Sequence, residues 1–255
     1  MESKISIITP IKPSTSECPY CHSHENITDG FATYKMHPDT YEQLINAGWR
    51  RPFPIRIEVE RFKLSKQNRK MIRKFNQELR IKLYNSKQLF DFDINIKDSD
   101  FSVEIIKCSD LLNNEELMLE IYNVYQKYEN EIHSHSTKYA SFQNSLVQSP
   151  LAEINNANIK NFKGYGSFHS IYRYKSEIIA DEVLDVLPQT ISSVYFVYDP
   201  KYKHLSIAHV MRNDLLFIKF AFLPKNTTSV LQPMDMGIRN YITNYISMAA
   251  VETFL

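Results

Sequence analysis

Two cysteines stand three positions apart in Cys18-Pro19-Tyr20-Cys21, followed at once by His22 and His24, with His37 further along. At that spacing both thiolates can face one metal ion, and nearby imidazoles can complete a Cys₂His₂ shell. The same residues also read as ordinary thiols in a short turn beside solvent-facing histidines. A second candidate chemistry is electrostatic. Lys66, Arg69, Lys70, Arg73 and Lys74 fall at i, i+3, i+4, i+7 and i+8, so a helix there carries an unbroken basic face. Such a face either tracks a phosphate backbone or stays solvated. The third candidate is a lone acid, Asp185, inside Val183-Leu184-Asp185-Val186-Leu187. A carboxylate in an apolar strand is a candidate functional group, and equally an outward-facing acid on an alternating strand.

The elements around these residues follow from periodicity. Phe168 to Tyr174, Ile178 to Leu187 and Ile191 to Tyr198 are β-branched and aromatic runs of strand length. Lys175-Ser176-Glu177 reads as a three-residue hairpin connection, and Pro188-Gln189-Thr190 stops the second run, so the three form an antiparallel meander with Asp185 on its central strand. Upstream, Asp39 to Ala47 reads as a short helix with Asp39 as N-cap and Gly48 at its stop. Ile55 to Phe62 alternates as a strand with one wet face. The basic helix starts after Ser65 and buries Met71, Phe75 and Leu79. Asn114 to Tyr128 is a second helix, with Glu115, Glu116 and Glu120 near its start and Leu117, Ile121, Val124, Tyr125 and Tyr128 on its buried face. Residues 1–17 read as a loose leader, Asn85 to Asp110 as holding a linker, and Phe142 to Gly166 as a mobile loop. Cys108 is expected to be a buried thiol.

Bulk properties narrow the class. The 255 residues suffice for one large or two modest domains, and a net charge of +1 gives no global pull toward nucleic acid or membrane. Three cysteines cannot close a disulfide framework, which favours a reducing cytoplasmic or nuclear setting. The most apolar run, Leu215 to Leu223, is interrupted by Lys219 and is about half a membrane span.

Gly166-Ser167-Phe168-His169, then Val183-Leu184-Asp185-Val186-Leu187-Pro188, then Ser192-Ser193-Val194-Tyr195-Phe196-Val197-Tyr198-Asp199-Pro200 resemble the C-terminal domain of the arginyl-tRNA–protein transferase family. That family is similar in fold to the GNAT acyltransferases. Cys18 and Cys21 resemble the first cysteine pair of its N-terminal domain. The family's later Cys-Cys-Pro is missing, since Trp49-Arg50-Arg51 runs straight into Pro52-Phe53-Pro54. Zinc or an iron–sulfur cluster on Cys18, Cys21, His22 and His24 is the cofactor expectation, with an incomplete ligand set.

The resemblance implies aminoacyl transfer: the α-amine of a protein beginning with Asp or Glu attacks the ester of arginyl-tRNA. On this reading Asp185 holds or deprotonates the attacking ammonium, while His133 and His169 act in proton transfer or substrate contact. Tyr195 and Tyr198 line the aminoacyl pocket, with Asp199 beside them, and Arg173 pairs with the acceptor's acidic side chain or with a neighbouring strand. The basic stripe of Lys66, Arg69, Lys70, Arg73 and Lys74 would meet tRNA phosphates. The histidines and tyrosines also have plainer readings as core residues.

From Ile207 the pattern changes. Phe222-Leu223-Pro224-Lys225 through Gln232-Pro233-Met234-Asp235 resembles the end of a pogo/Tigger-type DDE transposase catalytic domain. A lone Asp235 cannot hold a two-metal site, so neither nuclease chemistry nor a DNA partner is expected.

The resulting expectation is an α+β chain. It comprises a small Cys-containing domain over 1–62, a basic helix and linker over 63–113, a partial GNAT-like domain with an antiparallel sheet over 114–206, and a transposase-like tail over 207–255. Its function would be arginyl transfer leading to ubiquitin-dependent degradation. The alternative is a catalytically inactive binding protein or an unstable fusion fragment.

Overall fold

The computed structural model describes residues 5–16, 26–47, 49, 55–58, 66–79, 94–95, 100–154, 164–188, 190–207 and 228–231. In chain order the first elements are β1 (Ile7–Ser16), β2 (Asn26–Lys35), α1 (Pro38–Asn46), β3 (Ile55–Glu58) and α2 (Lys66–Glu78). There follow β4 (Ile94–Asn95), β5 (Phe101–Lys107), α3 (Cys108–Leu112), α4 (Glu115–Ile132) and α5 (Tyr139–Phe142). The meander is β6 (Gly166–Tyr174), β7 (Glu177–Val186) and β8 (Thr190–Tyr198), and β9 (Thr228–Leu231) comes last.

Seven strands form one sheet in the order β3-β9-β8-β7-β6-β5-β4. All neighbours are antiparallel except β8 and β9. The class is α+β, as expected, with the meander at the centre. Almost every residue of β7 is buried, because both faces of the sheet are covered. On one face lies α4, whose Ile121, Val124 and Tyr128 pack with Ile171, Ile178 and Val197. On the other lies α2, whose Phe75 and Leu79 pack with Phe101, Tyr172, Ile179 and Phe196. The Phe75 and Phe101 rings meet edge to face at 5.5 Å, the arrangement their quadrupoles favour.

Several boundaries differ from the sequence reading, each for a local reason. The turn between β6 and β7 has two residues, Lys175 and Ser176, both left-handed at φ 50° and 67°, and Glu177 is already in β7. This is the mirror-image turn that matches strand twist, here built without glycine or asparagine. His37, not Asp39, caps α1: its Nδ1 accepts from the Asp39 N–H at 3.2 Å, and Pro38 takes the first helical position. Asn114 caps α4 by accepting from the Leu117 N–H at 3.1 Å, and the helix runs to Ile132, past the expected end at Tyr128.

Larger corrections concern segments read as irregular. Most of the expected leader is β1, which pairs with β2 as a two-stranded hairpin. Its isoleucines Ile7, Ile8 and Ile11 are all exposed, so no one-sided burial pattern announces it. The expected linker contains β4 and β5, and β5 pairs with β6 along its whole length. The expected mobile loop begins instead with a π-helical turn, Gln143–Val147, and pins Val147 and Leu151 in the interior. Met36 and Leu151 form an isolated parallel bridge. Of the strand expected over 55–62, residues 55–58 are β3, and 59–62 lie outside the described residues, as do Ser65 and Gly48.

Candidate active-site cavity

The meander's register brings Ser167 opposite Asp185. A one-residue bulge at Tyr172/Arg173 sets this pairing, since without it Ser167 would face Leu184. Along β7 the side chains then alternate. Asp181 and Asp185 point to the α4 side, and Glu182 to the α2 side, where it accepts from the Tyr172 and Ser193 hydroxyls at 3.2 and 2.6 Å.

Asp185 is buried at 1% exposure, yet it lines a cavity of about 310 Å³. The rest of the wall comes from three other segments: Phe31 and Thr33 of β2, Met36 with Tyr41 and Leu44 of α1, and Pro150-Leu151, with Trp49 at the rim. Met36, Ile45, Leu151 and Leu187 form the apolar floor beside it. Backbone bonds from Met36 N to Pro150 O (2.8 Å) and Ala152 N to Met36 O (2.7 Å) clamp the two sides together.

The carboxylate is held by a serine relay. Ser167 donates to Asp185 Oδ1 at 2.5 Å, and the Ser149 and Ser167 hydroxyls lie 2.6 Å apart. Because Ser167 spends its one proton on Asp185, Ser149 must donate to Ser167, while Ser149 Oγ accepts from the Leu151 N–H at 3.1 Å. Gly166, next to Ser167, sits at φ +138°, and a Cβ there would come within 3.1 Å of the Glu153 side chain. The relay, Trp49, Phe31 and Tyr41 were not legible as site residues. Only the glycine immediately before Ser167 hinted that the chain needed room at that point.

The other sequence-predicted residues lie elsewhere. His169 is fully buried, with Nδ1 2.8 Å from Asp181 Oδ2 and Nε2 3.2 Å from the Leu146 carbonyl. Burial alone would lower its pKa, but the Asp181 carboxylate outweighs this and Cys108 adds to the rise, to about 10. Two acceptors around one ring require two N–H donors, so His169 is an imidazolium in a buried ion pair. Tyr195 donates to Glu129 of α4 at 2.6 Å. Burial and that carboxylate push the phenol above its ordinary range, so it remains a donor.

His133 is the exposed C-cap of α4, its ring 5.3 Å from that of Tyr128. Tyr198 meets the same Tyr128 ring at 5.1 Å. Asp199 caps a 3₁₀ helix, Pro200–Leu205, and pairs with Lys127 at 2.8 Å. Arg173 pairs with Glu120 of α4 at 2.7 Å. Tyr195, Tyr198, Asp199 and His133 therefore gather around the second half of α4, whereas Asp185 sits with the serines at the cavity.

Lys66, Arg69, Lys70, Arg73 and Lys74 are all exposed on α2, across the sheet from Asp185. Lys74 lies 3.6 Å from Glu78. Cys18, Cys21, His22 and His24 fall between β1 and β2, outside the described residues. Among the described residues no group of three His, Cys, Asp or Glu is placed to hold a metal, and no helix is long and apolar enough to cross a membrane.

Residues 120–215 match the family described as arginine-tRNA-protein transferase, C terminus. The span holds the whole meander, with Asp185, Ser149 and Ser167. Over this segment the chain is similar to the arginyltransferase family. It is 33% identical over 98 residues to arginyl-tRNA–protein transferase 2 of Arabidopsis thaliana, covering 35% of this chain and 16% of that protein. It is 26% identical over 230 residues to arginyl-tRNA–protein transferase 1 of Saccharomyces cerevisiae, covering 76% of this chain and 46% of that one. The chain thus spans less than half the length of either arginyltransferase. Among solved structures, L-PGS from Bacillus licheniformis overlaps 76% of this chain and 51% of its own, at 13% identity and a TM-score of 0.40.

Proposed function

We propose that this chain transfers arginine from arginyl-tRNA to the N-terminal α-amine of proteins beginning with Asp or Glu, marking them for ubiquitin-dependent degradation. The observation that carries the reading is the Asp185 carboxylate, fixed by the Ser149–Ser167 relay on the wall of a cavity, within the segment that matches the arginyltransferase family.

In the reaction the acceptor amine attacks the ester carbonyl of the charged tRNA. A C–N bond forms, the C–O bond to ribose breaks, and the amine's proton ends on the leaving ribose hydroxyl or in solvent. An α-amine with a pKa near 8 is partly neutral at physiological pH, so the protein's main task is to place two substrates against each other. Asp185 supplies a fixed negative charge for a cationic substrate group, since a buried carboxylate attracts a cation far more strongly than an exposed one. Tyr195 spends its one proton on Glu129, so its phenol oxygen beside α4 is left as an acceptor.

Asp185→Asn tests the reading. It preserves shape and the acceptor oxygen facing Ser167 while removing the charge. Loss of arginine transfer with cooperative unfolding retained supports the proposal, and unchanged transfer overturns it. One observation favours a second reading, retention of tRNA without transfer. The five α2 cations lie across the sheet from Asp185, so phosphate binding there does not depend on the cavity.

A further inference from the structure

We propose that the cavity beside Asp185 takes the guanidinium of the donor's arginyl group, held by the carboxylate and stacked against Phe31 and Trp49. The inference rests on the transfer reading and says which of that reaction's cations the cavity serves.

Three observations point to this group. First, the lining is aromatic and apolar, with Asp185 as its one carboxylate and no cation among the described residues that line it. An acceptor terminus beginning with Asp or Glu would bring its own carboxylate against Asp185, with no cation among the described lining residues to offset the repulsion. A guanidinium brings only positive charge. Second, the Phe31 and Trp49 rings lie 5.2 Å apart at 48° and come from different segments. A planar, weakly hydrated guanidinium stacks on such rings as a compact ammonium does not, and tryptophan is the strongest partner for it. Third, about 310 Å³ is the small end of ligand cavities, suited to one side chain rather than to a nucleotide. Trp49 is 40% exposed, so the aromatic rim is where such a group would enter.

The test is calorimetric titration of the full chain with L-argininamide, L-citrullinamide and the dipeptide Asp-Ala. Citrullinamide keeps the shape and replaces the guanidinium by a neutral ureido group. The expected result is argininamide binding at least tenfold tighter than citrullinamide. That advantage should vanish in Asp185→Asn and shrink severalfold in Phe31→Leu. Trp49 is the chain's single tryptophan, so its fluorescence should change with the same midpoint.

Equal binding of the two amides, no binding of argininamide, or a preference for Asp-Ala overturns the inference. If Asp185→Asn does not fold, the wild-type comparison and Phe31→Leu decide. Arginine transfer measured on the same preparation separates the two claims. Transfer without guanidinium discrimination overturns this assignment alone, and discrimination without transfer overturns the functional reading alone.

Discussion

Removing the Ser167 hydroxyl would take one hydrogen bond from the buried Asp185 carboxylate. Loss of a buried hydrogen bond to a carboxylate costs about 1–3 kcal/mol, so Ser167→Ala should lower the unfolding free energy by that amount, read as a lower urea midpoint with an unchanged slope. A wild-type midpoint would show that the relay holds nothing in place. His169 gives a prediction with a defined sign. In an unfolded chain a histidine titrates near 6.5, in this fold near 10. Between those values the folded chain keeps a proton that the unfolded chain has released, so stability is full below pH 6.5 and falls as pH rises toward 10. Urea midpoints between pH 6.5 and 9.5 should therefore decline, and His169→Gln should flatten that decline. Asp185 was legible at this scale as a charged residue in an apolar run. Its partner was not, because a single bulge decides whether Ser167 faces Asp185 or Leu184, and bulges leave little trace in composition.

At the scale of elements, the β6–β7 turn carries avoidable strain. Lys175 and Ser176 are both left-handed, which costs a non-glycine residue about 1–2 kcal/mol. Ser176→Gly should raise stability by roughly 1 kcal/mol, reduced from the full strain by glycine's greater freedom in the unfolded chain. A destabilised variant would mean that the turn is held by more than its dihedrals. The α2 stripe makes a prediction about binding. Replacing Arg69, Lys70 and Arg73 by Gln should reduce the slope of log K for tRNA against log salt by roughly 2–3, with no loss of fold, since all three are exposed. An unchanged slope would place the phosphates elsewhere. Helices α2 and α4 were readable because each buries one stripe of a 3.6-residue period. Strand β1 was not, because its isoleucines face solvent and its order comes from backbone pairing with β2. Strand β5, flanked by polar residues, shows its role only once β6 lies beside it.

At the scale of the molecule, the sheet is assembled from segments distant in sequence. Strand β5 precedes the span that matches the arginyltransferase family, and β9 follows it and runs parallel to β8. The cavity has the same character: Asp185 and Pro150-Leu151 come from the matched span, while Phe31, Tyr41 and Trp49 come from the N-terminal part. The Asp185 carboxylate and the pocket walls therefore come from parts of the chain whose association only the tertiary structure reveals. That explains why the strand of Asp185 could be recognised from sequence and its cavity could not. The most direct measurement is transfer of labelled arginine from charged tRNA to peptides beginning with Asp, Glu or Ala, using the full chain and Asp185→Asn. Label on the Asp and Glu peptides only, lost in Asp185→Asn, is the predicted result. No label from a chain that unfolds cooperatively, or equal label on the Ala peptide, would contradict the account.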